Sequence, residues 1–165
     1  MAKVLVIRLS AIGDVAMTVP VIYSAAKANP EDSFTVLTQA FLMPLFMNRP
    51  PNVEVIGINT KGAEKGLIGL LKFISALLKF DFDVILDLHN VIRTIIICTF
   101  FRLNGKRVFV LDKARKERKR LTAIKGKRLY PLRPVIVRYA DVFRAAGLNY
   151  TETVSYTHLT LPTIL

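Results

Sequence analysis

Short apolar runs alternate along this chain with longer segments of helical period. Residues 4–7, Val4-Leu-Val-Ile7, are continuously apolar, the pattern of a strand buried on both faces of a parallel sheet. Further strands are expected at Ser33–Thr38, Val53–Ile58, Val84–Leu88 and Arg107–Leu111. A helix is expected from about Asp14 to Ala28, halted by Asn29-Pro30, with Pro20 marking a kink or a late start. Phe41 to Met47 reads as a short helix, broken by Arg49-Pro-Pro-Asn52. Leu67 to Phe80 has apolar residues at 67, 68, 70, 71, 73, 74, 77, 78 and 80, with Lys72 and Lys79 between them. That spacing predicts a helix with a broad apolar face. Val91 to Leu103 is expected to be helical despite its β-branched run, ending at Asn104-Gly105. A last helix is expected over Pro134–Ala146, capped by Gly147. Strands alternating with helices predict a doubly wound, mostly parallel α/β sheet of Rossmann-like type, in the order 3-2-1-4-5.

Composition agrees with one globular domain. The chain has 165 residues, of which 52% are hydrophobic and 22% charged, too apolar for a disordered segment. Charge adds a second feature. Of the formal net charge of +12, residues 105–144 carry +11, from 14 Lys and Arg against three acids. The densest part is Lys113-Ala-Arg-Lys-Glu-Arg-Lys-Arg120. Such a stretch suits nucleic acid, anionic lipid or a phosphorylated sugar, and a plain solvated face equally. The single cysteine, Cys98, sits in an apolar run and reads as a small buried hydrophobe. No stretch reaches the roughly 18 apolar residues of a membrane span. Arg8 interrupts the N-terminal apolar run after four residues, unlike a signal peptide. The expected location is cytoplasmic, at the membrane surface.

Candidate chemistry lies in the turns after the strands, since ligands of open α/β sheets bind at the carboxyl ends of strands. The first turn, Ser10-Ala-Ile-Gly-Asp14, has neither G-x-G-x-x-G nor a P-loop. A carboxylate at a helix start competes with a bound phosphate for the positive end of the helix. Asp14 therefore suits proton abstraction from a hydroxyl, or else merely complements the helix dipole. Ser10 is either a site hydroxyl or a turn former, and Gly13 is expected to supply a shape that a Cβ would forbid. A second turn, Asp87-Leu-His-Asn-Val-Ile-Arg93, also lies at a strand's carboxyl end, so Asn90 and Arg93 are expected to face the same cleft; His89 suits a catalytic or metal role, or more simply a polar turn position. No His, Asp or Glu cluster has metal-ligand spacing.

Together these residues resemble glycosyltransferase family 9, the lipopolysaccharide heptosyltransferases. The resemblance rests on Val6-Ile-Arg-Leu-Ser-Ala-Ile-Gly-Asp-Val-Ala-Met-Thr-Val-Pro20, above all Arg8, Ser10, Gly13-Asp14 and Thr18-Val-Pro20. Supporting matches are Phe82-Asp-Val-Ile-Leu-Asp-Leu88 with Arg93, and Arg138-Tyr-Ala-Asp-Val-Phe-Arg-Ala-Ala-Gly147. It covers residues 2 to about 150. It implies the acceptor-binding, N-terminal domain of a GT-B enzyme. Such an enzyme transfers heptose or a similar sugar from an ADP-sugar to an inner-core lipid A acceptor, with inversion. The implied base is Asp14. The implied acceptor-binding residues are Ser10, Gly13, Thr18, Asn90 and Arg93, with Lys113, Arg115, Lys116, Arg118, Lys119 and Arg120 facing phosphates and acidic sugars of the core. The donor, ADP-heptose or a similar nucleotide sugar, would be held mainly by a C-terminal domain absent from this chain, and no metal or other cofactor is required. The implied partners are an anionic glycolipid and the inner face of the cytoplasmic membrane of a Gram-negative bacterium, not nucleic acid.

A GT-B enzyme needs about twice this length. The final residues, Val154-Ser-Tyr-Thr-His-Leu-Thr-Leu-Pro-Thr163, lack periodicity and back-translate readily to a transposase adapter of the kind used in shotgun sequencing. The expectation is therefore a truncated acceptor domain over 1–153, inactive alone, followed by translated adapter over 154–165. The alternative is a basic α/β module that binds nucleic acid, against which Lys113–Arg120 has no interleaved aromatics. A receiver-type phosphoacceptor domain would want an acidic cluster after the first strand, which is lacking.

Overall fold

A computed structural model describes residues 1–60, 62, 66–121 and 131–152. Its strands are β1 (Lys3–Ile7), β2 (Ser33–Gln39), β3 (Val53–Ile58), β4 (Val84–Asp87) and β5 (Arg107–Val110). All neighbouring pairs run parallel, in the order β3-β2-β1-β4-β5. This is the expected Rossmann-like α/β sheet. The strands are joined through helices α1 (Ile12–Ala28), α2 (Gly66–Leu78) and α3 (Ile92–Leu103), with a 3-10 helix at Ala40–Leu45. Two further helices, α4 (Arg115–Leu121) and α5 (Val135–Ala145), follow β5.

The continuous apolar run of β1 has its reason in the layers. Val4 and Val6 point into the core shared with α1 and α5, while Leu5 and Ile7 point into the core shared with α2 and α3. All four are fully buried, as the central strand of a doubly covered sheet must be. Cys98 lies in the second of these cores, where burial pushes its thiol up to about 12.

Helix boundaries depart from expectation where proline and charge weaken the pattern. Helix α1 starts at Ile12 and runs unbroken through Pro20. Proline has no N–H for the carbonyl of Ala16, yet nine buried residues of α1 hold the helix on both sides of it. The segment after β2 forms a 3-10 turn rather than an α-helix, with Pro44 inside it. Helix α2 ends at Leu78, two residues early, and Phe80 N–H closes the turn on the Leu77 carbonyl at 3.1 Å. The basic stretch contains a helix, α4, that its charge run did not announce. Gly147 ends α5 in the left-handed region at φ 83°, as expected, and Leu148 N–H bonds back to the Phe143 carbonyl at 3.1 Å. The segment from Val154 read as adapter lies outside the described residues.

Candidate functional site

The site is assembled at the carboxyl edge of the sheet, where β1 and β4 give way to their helices. Three turns and one helix meet there around a cleft of about 280 Å³. The turn after β1 contributes Arg8, Ser10 and Asp14. The turn after β4 contributes His89, the segment after β5 contributes Lys113 and Arg118, and α5 contributes Arg138 and Tyr139.

Arg8 is the organising side chain. It is only 7% exposed, an expensive position for a guanidinium unless it is paired. Its Nη1 donates to the Leu88 carbonyl at 2.6 Å, its Nη2 pairs with Asp14 Oδ2, and its guanidinium lies 5.8 Å from the centre of the Tyr139 ring. One arginine thus ties the ends of β1 and β4 to the first turn of α1 and to α5. Its Nε is buried and has no hydrogen-bond partner among the described residues, and the same holds for the Nε of Arg138.

Asp14 sits in the first turn of α1 with its side chain 42% exposed. It does not cap the helix. The capping position is Ala11, which has no side-chain oxygen to offer. The carboxylate is turned to Arg8 instead, so the dipole-only reading of Asp14 does not describe its contacts. It is the one carboxylate among the described residues lining the cleft, against Arg8, Lys113, Arg118 and Arg138. Partial burial and the charges of Arg115 and Arg8 push the Lys113 amine below its ordinary range. Crowded like charges of this kind are relieved by an incoming anion.

His89 Nε2 lies 3.3 Å from Ser10 Oγ, and its Nδ1 is buried with no partner among the described residues. Burial, reinforced by Arg8, pushes the imidazole down to about 4. The ring is therefore neutral at pH 7. Unfolded, it takes a proton near pH 6.5; folded, it resists until about 4. Stability is thus fully present above pH 6.5 and is lost as pH falls from 6.5 to 4. Urea midpoints should fall more between pH 7 and pH 4.5 in the parent chain than in His89→Gln. Parallel falls would contradict this account.

The turn carrying His89 is shaped by Asp87, which is fully buried at the end of β4. Its Oδ1 accepts from the backbone N–H of His89 at 2.9 Å and of Asn90 at 2.8 Å, and its Oδ2 accepts from the Thr94 hydroxyl at 2.7 Å. Asn90 takes a left-handed φ of 49° and its Nδ2 donates to the Leu111 carbonyl at 3.1 Å, fastening the turn to the end of β5.

The structure brings together part of the expected set. Ser10, Asp14, Lys113 and Arg118 line the cleft. Asn90, Lys113, Arg115 and Lys116 line an adjoining hollow that shares the Lys113 wall. Among the described residues, Arg93, Lys119 and Arg120 line neither. Thr18 requires correction. It is fully buried and its hydroxyl donates to the Val15 carbonyl at 2.7 Å, so it belongs to the core of α1. The expected reason for Gly13 also needs correction. Its φ is not left-handed, and a Cβ there would meet nothing within 4 Å. Nothing in the described chain forbids a side chain at this exposed position. Gly13→Ala should leave the fold intact and raise stability by up to about 1 kcal/mol, through helix propensity; a loss of stability on thermal unfolding would contradict this.

Arg138 and Tyr139 were not among the expected site residues. Their signal was weak, because α5 lies far along the chain and reaches the cleft by packing on α1 and β5. Arg8 carried a better signal, a charge directly after the apolar run Val4–Ile7. No group of His, Cys, Asp and Glu among the described residues could hold a metal ion.

The parallel five-strand sheet flanked by helices is the Rossmann-like arrangement seen in GT-B glycosyltransferases. Within that class, similar solved structures include a family 9 glycosyltransferase from Veillonella parvula, at 21% identity and a TM-score of 0.64 over 90% of this chain and 42% of that one. E. coli heptosyltransferase WaaC, solved with ADP-2-deoxy-2-fluoro heptose, matches at 19% identity and 0.62 over 92% of this chain and 50% of that one. E. coli ADP-heptose lipopolysaccharide heptosyltransferase II matches at 21% and 0.54 over 85% and 39%. The matched region is the N-terminal part of those proteins, so this chain spans half their length or less. No family model and no curated protein matches the sequence. At these identities the likeness establishes the fold.

Proposed function

We propose that this chain is the acceptor-binding half of an inverting glycosyltransferase that acts in lipopolysaccharide core assembly. The observation that carries this reading is Asp14, a half-exposed carboxylate pinned by a buried arginine at the mouth of a cationic cleft. Asp14 takes the proton of an acceptor hydroxyl. The freed oxygen attacks the anomeric carbon of an ADP-sugar, and ADP leaves with the electron pair of the breaking C–O bond. Arg8 fixes one carboxylate oxygen and thereby the direction of the other. Lys113, Arg118 and Arg138 receive phosphates or acidic sugars of the acceptor. The open space beside Gly13 leaves room for the acceptor to approach the first turn of α1.

Catalysis needs a donor held opposite this cleft, and leaving-group stabilisation on that side. The chain alone is therefore expected to bind acceptor without transferring sugar. A transfer assay with ADP-heptose and lipid A bearing inner-core sugars tests this. The expected result is turnover by an enzyme that carries this sequence joined to a donor domain, and none by the present chain. Transfer by the present chain would overturn the division of labour; failure of the joined enzyme on every ADP-sugar would overturn the activity.

A further inference from the structure

The proposed sugar transfer gives His89 no task, although its ring lines the cleft with Ser10 and Asp14. The ring is held from behind, since Asp87 Oδ1 takes the backbone N–H groups of His89 and Asn90 and so fixes the turn. In front, Nε2 meets Ser10 Oγ at 3.3 Å, and Ser10 makes no other side-chain hydrogen bond among the described residues. A serine beside a histidine suggests a nucleophile and its base, but the surroundings argue against one. Such a relay needs a carboxylate on Nδ1 to hold the imidazolium that forms. Here Nδ1 is buried with no partner among the described residues, and both oxygens of Asp87 are engaged elsewhere. Burial and the Arg8 charge hold the imidazole down at about 4, too weak a base to draw the Ser10 proton.

The neutral ring has one N–H and one bare nitrogen. A buried N–H without a partner costs more than a buried bare acceptor. The proton therefore belongs on Nε2, where Ser10 Oγ accepts it. A hydroxyl that accepts in this way still has its own proton to give. The cleft it faces gathers Arg8, Lys113, Arg118 and Arg138, so the recipient there is an anionic oxygen. We propose that His89 is a positioning residue, whose Nε2–H turns the Ser10 hydroxyl into a donor aimed at an oxyanion of the acceptor, a phosphate or a sugar carboxylate. Lys113 and Arg118 supply the charge and Ser10 supplies the direction. The opposite tautomer would reverse the pair and leave Ser10 to accept from a sugar hydroxyl. The inference rests on the acceptor reading only for what fills the cleft, since the tautomer is a property of the free chain.

Nitrogen NMR of the isotope-labelled chain at pH 7 reads the tautomer directly. His89 should show a protonated Nε2 and a bare Nδ1; the reverse overturns the proposal whatever the enzyme transfers. Titration with inorganic phosphate and, separately, with galacturonate, followed at the Asp14 backbone amide, tests the consequence. At least one should bind saturably, and the tighter of the two names the group. Ser10→Ala should weaken that binding by about tenfold, as for one hydrogen bond to a charged group. His89→Leu should weaken it as well, yet add nothing in the Ser10→Ala background, because both act through one hydroxyl. His89→Gln, whose amide N–H can stand in for Nε2–H, should bind within about twofold of the parent. The proposal fails if the two losses simply add, if His89→Leu binds like the parent at an unchanged urea midpoint, or if neither anion binds. Should the tautomer and the coupling hold while sugar transfer fails, the acceptor reading falls and the oxyanion site stands.

Discussion

Asp14→Asn, in an enzyme carrying this sequence, should reduce kcat by about 10²–10⁴-fold, the range for removing a general base, while KM and the urea midpoint change little. The amide has the size of the carboxylate and can still accept from Arg8, so the geometry of the first turn of α1 survives. It cannot take up the acceptor proton. The stability effect is small because the side chain is 42% exposed, and ion pairs open to water contribute roughly 0–1 kcal/mol. A merely structural aspartate would give the opposite pattern, a shifted midpoint with turnover preserved. Near-normal kcat in Asp14→Asn would remove this residue as the base.

Asp87→Ala should destabilise the fold by about 3–5 kcal/mol, the range for breaking a buried hydrogen-bond network. The substitution strands the backbone N–H groups of His89 and Asn90, and leaves the Thr94 hydroxyl only the Val91 carbonyl at 3.0 Å. Asn90 also loses the anchor for its left-handed backbone. Asp87→Asn keeps the acceptor for the two backbone groups and must reorganise only where Oδ2 meets Thr94 and the weakly bonded Cys98 thiol, so its loss should be less than half as large. Urea unfolding of both variants measures the difference. A cost for Asp87→Ala within 1 kcal/mol of zero would show that the turn after β4 is held by something else.

Much of this architecture could be read from the chain because parallel sheets bury their strands on both faces. That makes β1 and β4 apolar without alternation, and strand–helix alternation then leaves few possible orders. Ser10, Asp14 and Lys113 were legible for a related reason, since a turn following a parallel strand must emerge at the carboxyl edge. The features that escaped depend on contacts distant in sequence. Thr18 looks like a polar site residue two turns beyond the strand; only packing shows that α1 turns it inward. Arg138 and Tyr139 reach the cleft because α5 crosses α1, which no local pattern reveals. The structural role of Asp87 was hidden in an apolar run, where the carboxylate serves the loop that follows rather than a ligand. Helix α4 escaped because a charge run has no apolar period.

The central claim is that a phosphorylated glycolipid acceptor occupies the cleft built around Arg8. Titration of isotope-labelled chain with a deacylated, phosphorylated inner-core oligosaccharide, followed by NMR, tests it most directly. Arg8 Nε and His89 Nδ1 are buried at this cleft without partners among the described residues, so their resonances report its filling. The account predicts saturable shifts of the Arg8 Nε–H and His89 ring signals, reduced in Lys113→Gln. Saturable binding that leaves both signals unmoved, or no binding at all, would contradict it.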